Sequence, residues 1–307
     1  MNHLRIIFMG TPDFAVPSLE ALLQHGCNIV GVITSPDRPA GRGQKITASP
    51  VKQFALEKGL RILQPANLKS PEFLEELKSL KADLQIVVAF RMLPESVWAM
   101  PKLGTFNLHA SLLPDYRGAA PINWAIINGE KETGVTTFFI QHEIDTGKII
   151  FQEKIPIRDD ENVGELYAEL MQLGAKVLRK TVDAIAENNY PQIPQDHITD
   201  IKHAPKIFKE TCKIDWNKSV EFNYNFIRGL SPYPGALTLL NGKVLKIYKA
   251  EKVNVSPSAN NLTEFETDGK TYLHFKCNNG FVSVKECQLE GKKRMDVEEF
   301  LRGVKLS

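Results

Sequence analysis

Along the first two-thirds of the chain, hydrophobic positions fall into two alternating patterns. Short apolar runs, LRIIFMG (residues 4–10), NIVGVIT (28–34), LQIVVAF (84–90), GTFNLHA (104–110) and GVTTFFIQ (134–141), have the length and the Val, Ile and Phe content of buried strands. After the first run, VPSLEALLQHG predicts a helix ended by Gly26. The loop SPDRPAGRGQKITAS is followed by a short helix that runs to Gly59. Buried strands separated by helices predict an α/β fold with a parallel, Rossmann-like wound sheet. VGELYAELMQLGAKVLRKTVDAIAEN (163–188) predicts one long amphipathic helix, with Leu166, Leu170, Leu173, Val177 and Ile185 near a 3.6-residue spacing.

The pattern then changes. NNYPQIPQDHITDIKHAPK is rich in Pro, Gln and His, carries no apolar period and reads as a linker. Beyond it a helix over 219–230 is followed by alternating stretches, ALTLL, KVLKIYKA, YLHFKC and FVSVKECQLE. Asn241-Gly242 between two of them predicts a hairpin turn, and Gly280 marks another. A small C-terminal β-barrel, OB-like, is the expected second domain. The expected boundaries are 1–189 for the wound domain, 190–207 for the linker and 208–307 for the barrel. Neither an internal repeat nor a long low-complexity tract is visible.

Composition changes this picture little: 307 residues, 43% hydrophobic and 24% charged, are ordinary for a soluble globular chain. Charge changes it more. Residues 1–200 carry 20 Lys and Arg against 24 Asp and Glu, a net −4, whereas residues 201–307 carry 18 against 12, a net +6. A basic tail on an acidic body suits a polyanionic partner, and equally suits lysines on solvated strand faces. The four cysteines, Cys27, Cys212, Cys277 and Cys287, form no C-x-x-C pair and have no His at zinc-finger spacing, so neither a disulfide framework nor a metal site is expected. The opening apolar run is too short for a signal peptide, and no stretch approaches the roughly 20 residues of a membrane helix. A reducing cytoplasmic setting fits.

Wound sheets bind ligands at the carboxyl ends of their strands. The first strand ends in Gly-Thr-Pro-Asp-Phe, without the G-x-G-x-x-G glycines that admit a pyrophosphate, and Gly41-Arg42-Gly43 opens no helix. No nucleotide cofactor is therefore expected. Asn107 and His109 lie two apart at the end of a strand and share one of its faces. Arg117-Gly118 follows the next loop, and Asp145 follows the next strand in EIDTG, so an Asn, a His and an Asp can meet at neighbouring strand ends. A strand end satisfied by its own loop would leave an isolated N-x-H just as well placed.

Asn107-x-His109-x-Ser111-Leu112-Leu113-Pro114-x-x-Arg117-Gly118, with Asp145-Thr146-Gly147 downstream, resembles the folate-dependent formyltransferase family. The likeness continues through FMGTPDFAVPSLEALL, PDRPAGRGQKITASPVK, GAAPINWAIINGE and the basic β-rich tail, and points to the branch whose acceptor is an aminoacyl-tRNA. The resemblance implies formyl transfer from 10-formyltetrahydrofolate to the α-amine of methionine on initiator tRNA, by a monomer without a metal. It assigns Asn107, His109 and Asp145 to catalysis. It assigns Ser111, Leu112, Leu113 and Pro114, together with Phe90, Arg91, Met92 and Leu93, to the folate. Arg91 departs from the family, which has Gly after the aromatic; Arg91 is expected to point to solvent from an ordinary backbone conformation. For tRNA the resemblance points to Arg38, Arg42 and Lys45 in the basic loop, Arg42 above all, and the charge of the tail adds Lys243 and Lys246. Phe14 either packs against the methionyl group or caps the first helix. Other branches, acting on nucleotide-sugar amines, glycinamide ribonucleotide or water, would share the three catalytic residues. A catalytically silent RNA-binding protein on the same scaffold is the reading from another class.

Overall fold

A computed structural model describes residues 3–40, 45–195, 200–253 and 264–306. The chain forms two compact units. The first contains residues 1–118, 134–155 and 167–202; the second contains 119–133, 156–166 and 203–307.

The strands that make up or border the first unit are β1 (Arg5–Gly10), β2 (Asn28–Ile33), β3 (Arg38–Ala40), β4 (Lys45–Thr47), β5 (Ile62–Leu63), β6 (Leu84–Val88), β7 (Thr105–His109), β8 (Arg117–Gly118), β9 (Glu132–Phe139) and β10 (Ile149–Pro156). Seven of them form one sheet in the order β10-β9-β7-β6-β1-β2-β5. β1, β2, β5, β6 and β7 run parallel, while β9 is antiparallel to β7. The expected all-parallel sheet is therefore mixed. The run GVTTFFIQ is as apolar as a parallel strand, because burial on both faces sets that pattern whatever the strand's direction.

The chain moves outward from β1 to β2 and β5, then returns to β6 on the other side of β1. The strand order thus reverses between β1 and β6, which puts a crevice at their carboxyl ends. The helices are α1 (Val16–Gln24), α2 (Pro50–Glu57), α3 (Pro71–Ser79), α4 (Glu95–Trp98), α5 (Pro121–Ile127) and α6 (Val163–Ala186). Ser49 and Ser70 cap α2 and α3 by accepting from the Lys52 and Phe73 amides, and each helix has Pro in its first turn. On one face of the sheet Ile7, Met9, Ile33 and Val87 pack with Phe73 and Leu77 of α3.

In the second unit β11 (His203–Ala204) precedes α7 (Val220–Gly229). After α7 come β12 (Ala236–Leu240), β13 (Lys243–Val253), β14 (Phe265–Thr267), β15 (Leu273–Cys277), β16 (Gly280–Leu289), β17 (Met295–Asp296) and α8 (Val297–Gly303). The sheet order is β12-β13-β16-β15-β14, with β17 beside β16, and its pairs are antiparallel. It makes a half-barrel. Two register shifts around Lys249 bend the long β13 against β16. Asn241 and Gly242 both take positive φ, 48° and 76°, as the two-residue hairpin turn expected there requires. The core holds Leu245, Ile247, Phe275, Val282 and Val284 beneath Phe226 and Ile227 of α7. Asn123 of α5 donates to the Gly229 carbonyl at 2.8 Å, and AAPINWAIINGE (119–130) belongs to this unit.

Candidate active site

β7 carries Asn107 and the buried His109 to its carboxyl end. His109 Nε2 lies 2.9 Å from the Tyr116 carbonyl oxygen, which can only accept. Nε2 therefore holds a proton, and Nδ1 is the ring atom left to act. Nδ1 faces Asp145 Oδ2 at 3.9 Å, beyond hydrogen-bond reach and close enough for one small group to bridge. Asp145 Oδ2 accepts from the Gly118 amide at 3.0 Å. The Asp145 backbone is left-handed, with φ 55°, a conformation that Asp tolerates better than most residues. Gly147 closes the same turn: a Cβ there would overlap the Phe139 carbonyl oxygen, so only glycine fits.

The Ser111–Pro114 loop is tied down from behind. Thr136 Oγ1 donates to the Ser111 carbonyl at 2.7 Å and accepts from the Leu113 amide at 3.1 Å. Gln152 Nε2 donates to the Leu113 carbonyl at 2.7 Å. Ser111 and Leu113 are buried, and the Ser111 hydroxyl donates to the Asp115 carbonyl. Leu112 and Pro114 remain part-exposed. Thr136 and Gln152 were not singled out from sequence, although a Thr pair inside an apolar strand was a usable signal.

After β6 the loop Phe90-Arg91-Met92-Leu93 follows Ala89, and it is Ala89, not Arg91, that takes positive φ (47°). The ordinary backbone expected of Arg91 is found, but its side chain does not point to solvent. Arg91 donates to the Ala66 carbonyl at 2.9 Å and to the Pro65 carbonyl, and stacks its guanidinium 5.6 Å from the Phe90 ring. Two free carbonyls within reach of a five-donor fork explain the turn inward. Burial, and then the charge of Arg38, lower its pKa. Phe90 and Leu93 lean on the sheet core, and Met92 is 73% exposed. A groove of about 680 Å³ opens here, lined by Asn67, Lys69, Arg91, Met92, Leu93 and Pro94 among others. That volume lies in the range of small-molecule sites.

Phe14 is buried, edge-on to Tyr167 with ring centroids 5.2 Å apart, and its amide donates to the Tyr167 hydroxyl. That hydroxyl donates to Asp13 at 2.6 Å, and burial followed by Asp13 raises its pKa.

The basic loop is a ribbon in which β3 and β4 pair, Arg38 opposite Thr47. Arg38 is exposed, whereas Lys52 is held by Asp37 at 2.5 Å. Arg42 lies outside the described residues, as does the side chain of Lys45. In the second unit Lys243 is exposed, while Lys246 Nζ donates to the Pro234 carbonyl at 2.9 Å. Lys246 lines a cleft of about 740 Å³ with Lys206, Lys209, Phe208 and Tyr233, the last 82% exposed. Several other tail cations are paired: Lys252 with Glu221, Lys285 with Glu251, Lys293 with Glu299 and Arg294 with Glu286. Among the described residues no cluster of three or more His, Cys, Asp or Glu could hold a metal, and no helix is long and apolar enough to cross a membrane.

Comparison with known proteins gives this geometry a context. The family model described as formyl transferase matches residues 4–182, and that of the formyl transferase C-terminal domain matches 206–305. The methionyl-tRNA formyltransferase of Phocaeicola vulgatus is 58% identical over 316 residues, covering 100% of this chain and 97% of that protein. That of Bacteroides thetaiotaomicron is 57% identical over 314 residues, with the same coverage. Among solved structures, the sugar 3N-formyl transferase WlaRD, crystallised with dTDP and 5-N-formyl-THF, superposes with a TM-score of 0.68 at 25% identity, over 94% of this chain and 99% of its own.

Proposed function

The chain belongs to the formyl transferase family, in its methionyl-tRNA formyltransferase branch, and we propose that the corner at the end of β7 moves the formyl group of 10-formyltetrahydrofolate onto the methionyl amine of initiator tRNA. The observation that carries the proposal is the free His109 Nδ1 facing Asp145 Oδ2 across 3.9 Å, with Asn107 two positions back on the same strand.

The neutral amine attacks the formyl carbon, and negative charge builds on the formyl oxygen. The Asn107 amide donates to that oxygen, where a preorganised donor is worth about 10²- to 10³-fold in comparable acyl transfers. His109 cannot donate through Nε2, which Tyr116 holds, so its part runs through Nδ1. Nδ1 takes a proton as the attacking nitrogen becomes cationic, and the neighbouring Asp145 carboxylate stabilises the imidazolium so formed. The same proton, or one relayed by water beside Asp145, reaches the folate nitrogen as its bond to the formyl carbon breaks. One carbon–nitrogen bond forms, one breaks, and the proton lost by the amine equals the one gained by the leaving nitrogen.

The groove beside Phe90, Arg91, Met92 and Leu93, with Leu112 and Pro114, is the proposed folate wall. Ser111 and Leu113 act from behind it, because their polar groups are already engaged. Arg38, Arg42 and Lys45 of the basic loop, with Lys243 and Lys246, are proposed to meet the tRNA. In this reading residues 1–189 carry the transfer chemistry, 190–207 link and 208–307 bind tRNA, in a cytoplasmic monomer.

The test offers 10-formyltetrahydrofolate with initiator Met-tRNA, elongator Met-tRNA, glycinamide ribonucleotide or water alone. Rapid formylation of the initiator only is expected, weakened by Arg42→Ala. Formyl loss without preference for tRNA would move the chain to another branch of the family.

A further inference from the structure

We infer that Gln195 is a positioning residue for this transfer: it clamps the left-handed turn that presents Asp145 and ties it to the segment that holds His109. The inference rests on the reading of Asp145 and His109 given above. Gln195 falls within the Pro- and Gln-rich stretch that the sequence marks only as linker. In the folded chain it is 7% exposed.

Its amide is fully engaged. Nε2 donates to the Asp145 carbonyl at 3.1 Å and to the Gly147 carbonyl at 2.7 Å, one on each side of Thr146. Oε1 accepts from Arg117, at 2.8 Å from Nη2 and 3.3 Å from Nε. A guanidinium only donates and a carbonyl only accepts, so chemistry alone fixes which end of the amide is which. A left-handed Asp persists where its surroundings over-determine it. The two carbonyl bonds do that for the main chain, as Gly118 does for the carboxylate.

The bonds close a ring. Three consecutive residues orient both reacting side chains: the Tyr116 carbonyl holds His109 Nε2, and the Gly118 amide holds Asp145 Oδ2. Arg117 between them is bound to Gln195, and Gln195 is bound to the Asp145 turn. Gln195 is thus bonded both to the segment that orients His109 and to the main chain that carries Asp145. Its removal lets the 3.9 Å separation drift, and a misplacement of about 1 Å at a reacting centre costs on the order of 10²-fold in rate.

The test uses the full-length enzyme and Gln195→Glu, which keeps the volume and the Arg117 bond but turns both amide donations into lone-pair contacts. Single-turnover formylation of initiator Met-tRNA is measured for wild type, Gln195→Glu, Asp145→Asn and the double variant, with KM for both substrates and thermal melting alongside. The expected result is a kcat loss of about 10²-fold for Gln195→Glu with KM changed by less than about threefold. On the Asp145→Asn background the same change should cost no more than about twofold, because the two residues act as a unit. Equal losses on both backgrounds, or a loss confined to KM, would overturn the clamp and leave a packing role. Normal kcat in Gln195→Glu beside a crippled Asp145→Asn overturns the clamp alone. Normal kcat in Asp145→Asn overturns the role of Asp145 itself, and the clamp with it. If Gln195→Glu melts out, Arg117→Lys, which weakens the fork on Oε1 without touching the turn, must show the same non-additivity or the clamp falls.

Discussion

The corner at the end of β7 and the basic surfaces are built by opposite rules. At the corner every polar group that orients a reacting atom is engaged: Nε2 of His109 by a carbonyl, Oδ2 of Asp145 by an amide, the Asp145 and Gly147 carbonyls by one buried glutamine. On the ribbon Arg38 is exposed, as Lys243 is on the antiparallel half-barrel, and several other cations of the tail already sit beside a carboxylate. Surface pairs of that kind contribute little stability and exchange readily for phosphate. In the proposed reading catalysis falls to a rigid corner with His109 Nδ1 left free, and tRNA attachment to a diffuse, salt-sensitive field. The comparison predicts that substitutions at the corner act on kcat and those on the surface act on affinity.

The largest effect should follow His109→Ala or Asp145→Asn. Either should lower kcat by about 10²- to 10⁴-fold, the usual share of a general acid–base group. Binding of initiator Met-tRNA, followed by filter retention, should stay within about twofold, the scatter of independent sites. A parallel loss of tRNA affinity would break the division between corner and field.

Next is Gly147→Ala. Its Cβ would meet backbone, not a yielding side-chain tip, so the Asp145 turn must shift. A cost of about 2 kcal/mol in stability is expected, as for an overpacked core, together with a kcat loss on the order of 10²-fold. Thermal melting and single-turnover rates check the two halves. This glycine also shows what the chain made legible. Asn107 and His109 stand at a strand end, where strand period reports that they share a face, and Asp145 follows the next strand; Gly147 was visible only as part of the motif that carries the resemblance. Gln195 and Thr136 do their work by donating to carbonyls far away in sequence, and Tyr116 by lending its own carbonyl to the His109 ring; no period announces such bonds. The direction of β9 was hidden for a related reason: burial on both faces erases the alternation that would have marked an antiparallel strand. Arg91 was misjudged because the carbonyls of Pro65 and Ala66 become its partners only after folding.

A smaller effect belongs to the surface. Lys243→Ala removes an exposed cation of β13 that pairs with no carboxylate among the described residues. It should weaken tRNA binding a few-fold, lower the slope of log affinity against log salt by about 1, and leave kcat at saturating tRNA unchanged. Lys252→Ala, whose ammonium is 2.8 Å from Glu221, should lower the slope less. Equal slopes for the two would mean that pairing on this surface does not restrain its cations, and the contrast with the corner would weaken.

The smallest effect sharpens the comparison by repeating one substitution in the other region. Gly242 sits in the β12–β13 hairpin with φ 76°, and a Cβ there meets nothing within 4 Å. Gly242→Ala therefore faces no overlap; its cost is conformational, about 1 kcal/mol for placing an L-residue in the left-handed region. Melting should move down by a few degrees at most, while kcat and the affinity for tRNA hold. The same atom is added at Gly147 and at Gly242, yet only the first lies where backbone geometry sets the position of a reacting group. If Gly242→Ala lowered kcat as Gly147→Ala does, the half-barrel hairpin would have to influence the chemistry, and the corner could no longer be treated as self-contained.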